Sequence, residues 1–317
     1  MSGVDLLTVG EALVSLRSSG PLLAGGPLSM HLAGAESNVA IGLARLGHRA
    51  AWVGRVGGDE LGEFVLRQLR AEGVDTTAVR RDPARPTGLM FLERRTADVS
   101  RVQYHRAGSA GSALTVDDLR GPLAAGPRMV HLTGITPALS DSAREAAGWA
   151  ARAAADAGIP VCLDVNHRAG LWSREAARAT LFPLAGYASV VVASTDELDL
   201  VAQAGADEAA AAAGLLRRGV RTVLVKLGAD GVRAYTAEGV RHVAAVPVTA
   251  VDTVGAGDAF TAGYLSGHLD GLDLVDRLGR AVTLGAFAVA GHGDWEGLPR
   301  RDELSLITGS AAGTTLR

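Results

Sequence analysis

A chain of 317 residues, 48% of them apolar, is long enough to bury a large core, and its formal net charge of -3 gives no electrostatic footprint for nucleic acid. Runs of like charge are absent, and Cys162, the only cysteine, excludes an intrachain disulfide and reads as a small core residue. The N-terminus carries Asp5 and Glu11 without an early positive cluster, and the apolar stretches are too short for a membrane span. A cytoplasmic protein is expected.

The first strand-like run covers residues 5–10, and the segment 13–32 follows with a further strand-like piece at 13–17. Helical spacing covers 37–46, ended by Gly47; a strand at 50–56 leads to a helix at 60–72, ended by Gly73. Residues 87–106 again contain strand-like pieces, including 102–106, without helices between them. A strand at 129–133, a helix at 140–157 with Gly158, and strands at 161–164 and 189–193 continue the chain. A helix at 209–217 with Gly219, a strand at 222–225 and a helical run at 259–268 complete the pattern. Strand–helix–strand repetition predicts an α/β fold with a mostly parallel sheet covered by helices on both faces. The two irregular segments are expected to pair as a small antiparallel sheet, a lid over the carboxyl edge of the main one.

The strongest local signal is Asp252-Thr253-Val254-Gly255-Ala256-Gly257-Asp258, directly before that last helical run. Three small residues let a phosphate approach backbone N–H groups at a helix N-terminus, where the dipole favours an anion. Asp258 in the first turn reaches the same space and suits a general base for an attacking hydroxyl. A glycine-rich turn with an acidic first helical turn is common by itself, so the flanking residues carry much of the weight.

Weaker signals come from Lys226, at a strand end before Gly228-Ala229-Asp230-Gly231, and from Asp164-Val165-Asn166-His167-Arg168 at another strand end. The first is also ordinary hairpin chemistry, and the second is equally a capped strand end. Lys226 is the only lysine and is not followed by Ser or Thr, which excludes a Walker A loop. The dinucleotide fingerprint fails at Phe260 and Glu296, the eight histidines lack a paired metal spacing, and no Gly-x-Ser-x-Gly elbow occurs.

The stretch 252–260 resembles the second signature of the PfkB (ribokinase-like) sugar kinases, and 33–40 with Gly54-Arg55-Val56-Gly57-Gly58-Asp59 resembles the first. The resemblance spans the chain and implies a ribokinase-like fold: a single domain over 1–317 with lid strands from about 11–35 and 86–107. It also implies phosphoryl transfer from ATP with magnesium, Asp258 as base and Gly255, Ala256 and Gly257 as the anion hole. Residues 108–114, 131–140 and 164–168 followed by Leu171-Trp172 look most like 2-keto-3-deoxygluconate kinases.

By that resemblance Gly34, Asn38, Met90, Tyr104, Arg106, Arg168 and Asp294 surround the sugar acid, the two arginines suiting its carboxylate. Asn166, Ser194, Lys226, Gly228 and Gly231 would hold ATP, and Glu197 would act on the metal indirectly. Met90 stands where these kinases often carry a lid tyrosine, Val282 where an asparagine often lies near adenine, and Ser194 where Asn-x-x-Glu begins. Pairing of lids implies a homo-oligomer, while a potassium ion near Asp252 is left open. Alternatives are a kinase of a neutral sugar such as ribose or fructose, and a non-catalytic sugar or nucleotide sensor.

Overall fold

In the computed structural model, which describes residues 3–96 and 99–309, the alternating segments assemble an eight-stranded sheet with helices on both faces. The chain begins with β1 (Leu6–Val9), β2 (Leu13–Ser18), β3 (Ser29–Ala33), α1 (Ala35–Arg45), β4 (Ala50–Val53) and β5 (Arg55–Gly57). Next come α2 (Glu60–Ala71), β6 (Arg80–Asp82), β7 (Leu89–Arg94), β8 (Ser100–His105), α3 (Val116–Ala124) and β9 (Met129–Thr133). There follow α4 (Asp141–Asp156), β10 (Val161–Asp164), α5 (Arg174–Leu184), β11 (Val190–Ser194) and α6 (Glu208–Arg217). The chain continues through β12 (Thr222–Lys226), β13 (Val232–Thr236), β14 (Gly239–Val243), α7 (Ala256–Leu269) and α8 (Leu274–Ala290).

The large sheet has the order β14-β13-β12-β11-β10-β9-β1-β4, parallel from β12 to β4 and antiparallel through β13 and β14. From β1 the chain first builds outward to β4 and later resumes on the other side at β9. That reversal is a topological switch point, and the crevice outside the strand carboxyl ends there is where such sheets bind ligands. Strands covered on both faces are buried throughout, as β9 and β10 are, and both are mainly apolar, with His131, Thr133 and Asp164 the polar exceptions. One face is packed by Leu119, Ala150, Leu181 and Leu215, from α3 to α6. The other is packed by Ile41, Leu66, Leu265 and Leu284, from α1, α2, α7 and α8.

The strands expected at 129–133 and 161–164 coincide with β9 and β10, and Gly47, Gly73, Gly158 and Gly219 all take positive φ after their helices. The strand expected at 50–56 divides at Gly54, where a Cβ would lie 2.3 Å from the Gly10 carbonyl oxygen. Besides the short terminal helix Leu306–Gly309, three helices were not anticipated. Prolines 122 and 183 interrupt the sequence signal for α3 and α5, and α8 reads only as an apolar stretch, although Thr115, Ser173 and Asp273 stand at their N-caps.

The smaller sheet has the order β3-β2-β7-β8 and corrects one expectation: it is mixed, not antiparallel. Each irregular segment makes an antiparallel hairpin, but the two hairpins join through their outgoing strands β2 and β7, which run the same way and pair parallel. A third pair, β5 with β6, lies apart. Among the described residues no helix is long and apolar enough to cross a membrane.

Candidate active site

The N-cap of α7 is Gly255, whose φ of 75° is left-handed and whose added Cβ would lie 2.0 Å from the Asp294 carbonyl oxygen. Only glycine fits there, so the loop after α8 is clamped against the helix N-terminus. The small residues at 255–257 leave the first N–H groups of α7 uncovered, as an anion cradle requires. Cavities flank this turn on either side.

The first cavity lies between the two sheets. Gly34, Asn38, Met90, Tyr104, Arg106, Arg168 and Asp294, all expected around the sugar acid, line it together with Gly255 and Asp258. Asp258 is 7% exposed; its Oδ2 accepts from Asn38 Nδ2 at 2.8 Å and its Oδ1 from Asn166 Nδ2 at 3.3 Å. Burial pushes this carboxyl above the ordinary carboxylate range and Asp164 adds to the rise, while Asn38, Arg168 and Lys226 oppose it. A buried carboxylate with fixed donors and a raised pKa matches a proton acceptor working near neutrality.

Tyr104 and Arg106 do converge, the guanidinium lying 5.1 Å from the ring centroid. Arg106 is already engaged, however. Its Nε donates to Glu11 Oε2 at 2.6 Å, its Nη2 also pairs with that oxygen, and Ser109 Oγ donates to Glu11 Oε1 at 2.8 Å. Arg168 differs: it is exposed and forms no ion pair among the described residues, although its charge reaches Asp258.

Also lining the first cavity, Glu36 is fully buried, with Oε1 accepting from Thr133 Oγ1 at 2.6 Å and Thr136 Oγ1 at 2.8 Å. Burial lifts it to about 7, and Asp258 contributes to the rise. Asp294 is lifted by burial to about 7 as well, against the pull of Arg17, whose Nη2 donates to Asp294 Oδ1 at 2.6 Å. Glu11, Arg17 and Glu36 were not singled out from the sequence. For Glu11 a signal existed, since it follows β1 at the sheet's carboxyl edge.

On the other side of the α7 N-terminus lies a larger and mainly apolar cavity of about 600 Å³. Lys226, Gly228, Gly231, Ala256, Gly257 and Val282 line it, joined by Val246, Pro247, Phe260 and Val289. Lys226 Nζ lies 3.1 and 3.3 Å from the Asp164 oxygens, and Thr261 Oγ1 donates to Asp164 Oδ2 at 3.0 Å. Desolvation alone would lower the lysine, but Asp164, with Glu197 and Asp258 behind it, raises it above its ordinary value, so it stays cationic. A Cβ on Gly257 would sit 3.4 Å from this ammonium group, which puts a cation beside the cradle.

Two of the residues expected at ATP do not line this cavity. Asn166, with a φ of 38°, is turned onto Asp258, and Ser194 N donates to Glu197 Oε2 at 2.9 Å. Glu197 Oε1 accepts from His167 N at 2.7 Å, so this carboxylate ties the ends of β10 and β11 together. Among the described residues no group of three or more His, Cys, Asp or Glu side chains could hold a metal by itself.

The family model of the pfkB family carbohydrate kinases matches residues 5–301. The chain belongs to that family. This kinase is 37% identical over 308 residues to the 2-dehydro-3-deoxygluconokinase of Bacillus subtilis strain 168, covering 95% of this chain and 94% of that one. With the 2-dehydro-3-deoxygluconokinase of Thermoproteus tenax it shares 36% identity over 93% of this chain and 91% of that one. Among solved structures it is similar to a PfkB protein from Polaromonas sp. JS666, with a TM-score of 0.87 and 36% identity over 96% and 99% of the two chains. A ribokinase II from E. coli in complex with ATP and magnesium gives 0.88 at 26% identity over the same shares.

Proposed function

We propose that this kinase transfers the γ-phosphoryl group of ATP to the 6-hydroxyl of 2-keto-3-deoxygluconate (2-dehydro-3-deoxygluconate), with Asp258 as general base. The observation that carries the reading is the buried Asp258 carboxylate, held by Asn38 and Asn166 in the wall of one cavity while the next residues back along the chain line the other. A hydroxyl in the first cavity and a triphosphate in the second then meet at the α7 N-terminus. Asp258 takes the hydroxyl proton, the oxygen bonds to the γ-phosphorus, and the bond to the ADP oxygen breaks. The N–H groups at 255–257 and the Lys226 ammonium stabilise the charge on the transferring group.

The four-stranded sheet built from β2, β3, β7 and β8 serves as the lid, bringing Met90, Tyr104 and Arg106 over the sugar within one domain. Val282 and its apolar neighbours would receive the base of ATP. Magnesium would supply positive charge against that of the phosphates, and Glu197 would act on it indirectly.

A sugar acid is favoured over ribose or fructose by Arg168. In a cavity where Glu11 compensates Arg106 and Arg17 compensates Asp294, this guanidinium alone among the described residues is left to meet a carboxylate. ATP turnover, coupled to ADP detection, should be measured against 2-keto-3-deoxygluconate, related keto-deoxy acids, ribose and fructose. A kcat/KM led by 2-keto-3-deoxygluconate supports the reading, and one led by a neutral sugar refutes it.

A further inference from the structure

Arg17 belongs to β2 in the smaller sheet, while Asp294 belongs to the loop after α8 in the main body. Their side chains meet at 2.6 Å and are only 13% and 6% exposed. Asp294 lines the sugar cavity but Arg17 does not, so the guanidinium reaches the carboxylate from behind. It is steadied on its own strand by a 3.3 Å bond from Nε to Ser15 Oγ. This leaves Asp294 Oδ2 with no hydrogen bond among the described residues.

The same loop is fastened to the smaller sheet at two more points. His31 Nδ1 lies 2.8 Å from Glu296 Oε1, and Trp295 Nε1 donates to the Leu32 carbonyl at 3.0 Å. At its other side the Asp294 main chain is clamped on Gly255.

We propose that Arg17 is a positioning residue for sugar recognition: it holds one oxygen of Asp294 so that the ionised carboxylate presents the other to a sugar hydroxyl when the smaller sheet covers the cavity. The proposal rests on the reading of that cavity as the sugar site. Ionisation is the costly part. Asp294 faces Arg17 from β2, Glu296 in its own loop, Asp252 before α7 and Asp258 within α7, and the same cavity holds Arg106, Arg168, Glu11 and Glu36. Burial and the three other carboxylates all favour the neutral form, and Arg17 opposes them. Sugar affinity should therefore weaken as pH falls through Asp294's value of about 7.

The test is calorimetric binding of 2-keto-3-deoxygluconate from about one unit below neutrality to about three units above it. It uses the full chain in an Asp258→Asn background, which removes turnover and the titration of Asp258. Adding Arg17→Gln should move the midpoint of affinity loss to higher pH by roughly one to three units, the usual effect of removing an adjacent opposite charge. Arg17→Lys, which keeps the charge, should hold the midpoint near that of the background. Adding Asp294→Asn should weaken binding and abolish this shift, so that Arg17→Gln on top adds little.

A merely structural role for Arg17 would weaken binding equally at every pH, and an unmoved midpoint in folded Arg17→Gln protein overturns the proposal. Independent, additive losses from Arg17→Gln and Asp294→Asn overturn it too. Undiminished affinity in the Asp294→Asn protein would instead remove the assignment of Asp294 to the sugar, and the proposal with it.

Discussion

Replacing Asp258 by Asn separates the chemistry of this site from its architecture. The carboxylate receives Asn38 Nδ2 at 2.8 Å and Asn166 Nδ2 at 3.3 Å, one on each oxygen. An amide in its place can accept only one of them and must turn its NH2 toward the other donor. Leaving a buried donor unmatched costs about 1–3 kcal/mol. Against this, the variant no longer buries a charge. Because burial raises the folded-state pKa of Asp258, the wild type loses stability as pH rises from the ordinary carboxylate value through the raised one, whereas the amide does not titrate. The melting-temperature difference should therefore shift in favour of Asp258→Asn as pH increases over that interval. Turnover should fall at least about a hundredfold at pH above that interval, where the wild-type carboxylate is ionised, the scale for losing a general base. Coupled ATP assays and thermal melts across pH test both parts. Near-normal turnover in folded variant protein would refute the base assignment, and a pH-independent stability difference would refute the desolvation argument.

Other changes probe the remaining groups. Arg168→Ala should raise KM for 2-keto-3-deoxygluconate roughly ten- to a hundredfold, since a charge-assisted bond contributes about 1.5–3 kcal/mol and about 1.4 kcal/mol is a decade. Side activity on ribose or fructose should change far less, and equal losses would assign Arg168 to the lid or the phosphates. Gly257→Val should fold, because the new Cβ meets only the Lys226 ammonium at 3.4 Å, yet calorimetry should find ATP binding weakened more than sugar binding. Lys226→Met should remove ATP turnover and lower the melting temperature, since breaking a buried pair costs about 3–5 kcal/mol; an unchanged melt would place Asp164 in contact with solvent.

Much of this arrangement was legible in the residues. The tight turn at 255–257 and the position of Asp258 follow from small residues at a helix start, and the C-capping glycines mark where four helices end. Motif resemblance brought together side chains from β7, β8, the β10 end, α1 and the loop after α8, all of which line one cavity. What the chain did not reveal was who neutralises whom. Glu11 and Arg106 stand 95 positions apart, Arg17 and Asp294 277 apart, and no local pattern marks such partners. The parallel join of β2 to β7 was hidden for the same reason: turn chemistry reports hairpins, but pairing between hairpins is set by how the chain leaves the main sheet.

These hidden pairs alter the electrostatic account of specificity. Two arginines at a pocket suggest two charges for a carboxylate, but a guanidinium whose Nε and Nη2 are spent on a buried glutamate offers mainly directional N–H bonds. Glu11 is 1% exposed and cannot turn away to solvent, so Arg106 stays compensated whether or not a sugar is present. On the proposed reading, discrimination by charge falls to Arg168, which is exposed and forms no ion pair among the described residues. Affinity for the acid should consequently depend on ionic strength, because an exposed charge is screened over a Debye length of about 8 Å at physiological salt. A buried Arg106 contact would be nearly insensitive, so the salt dependence of KM for the acid, present in the wild type and lost in Arg168→Ala, assigns the charge to one arginine. If the dependence survives that substitution, Arg106 or the lid supplies it.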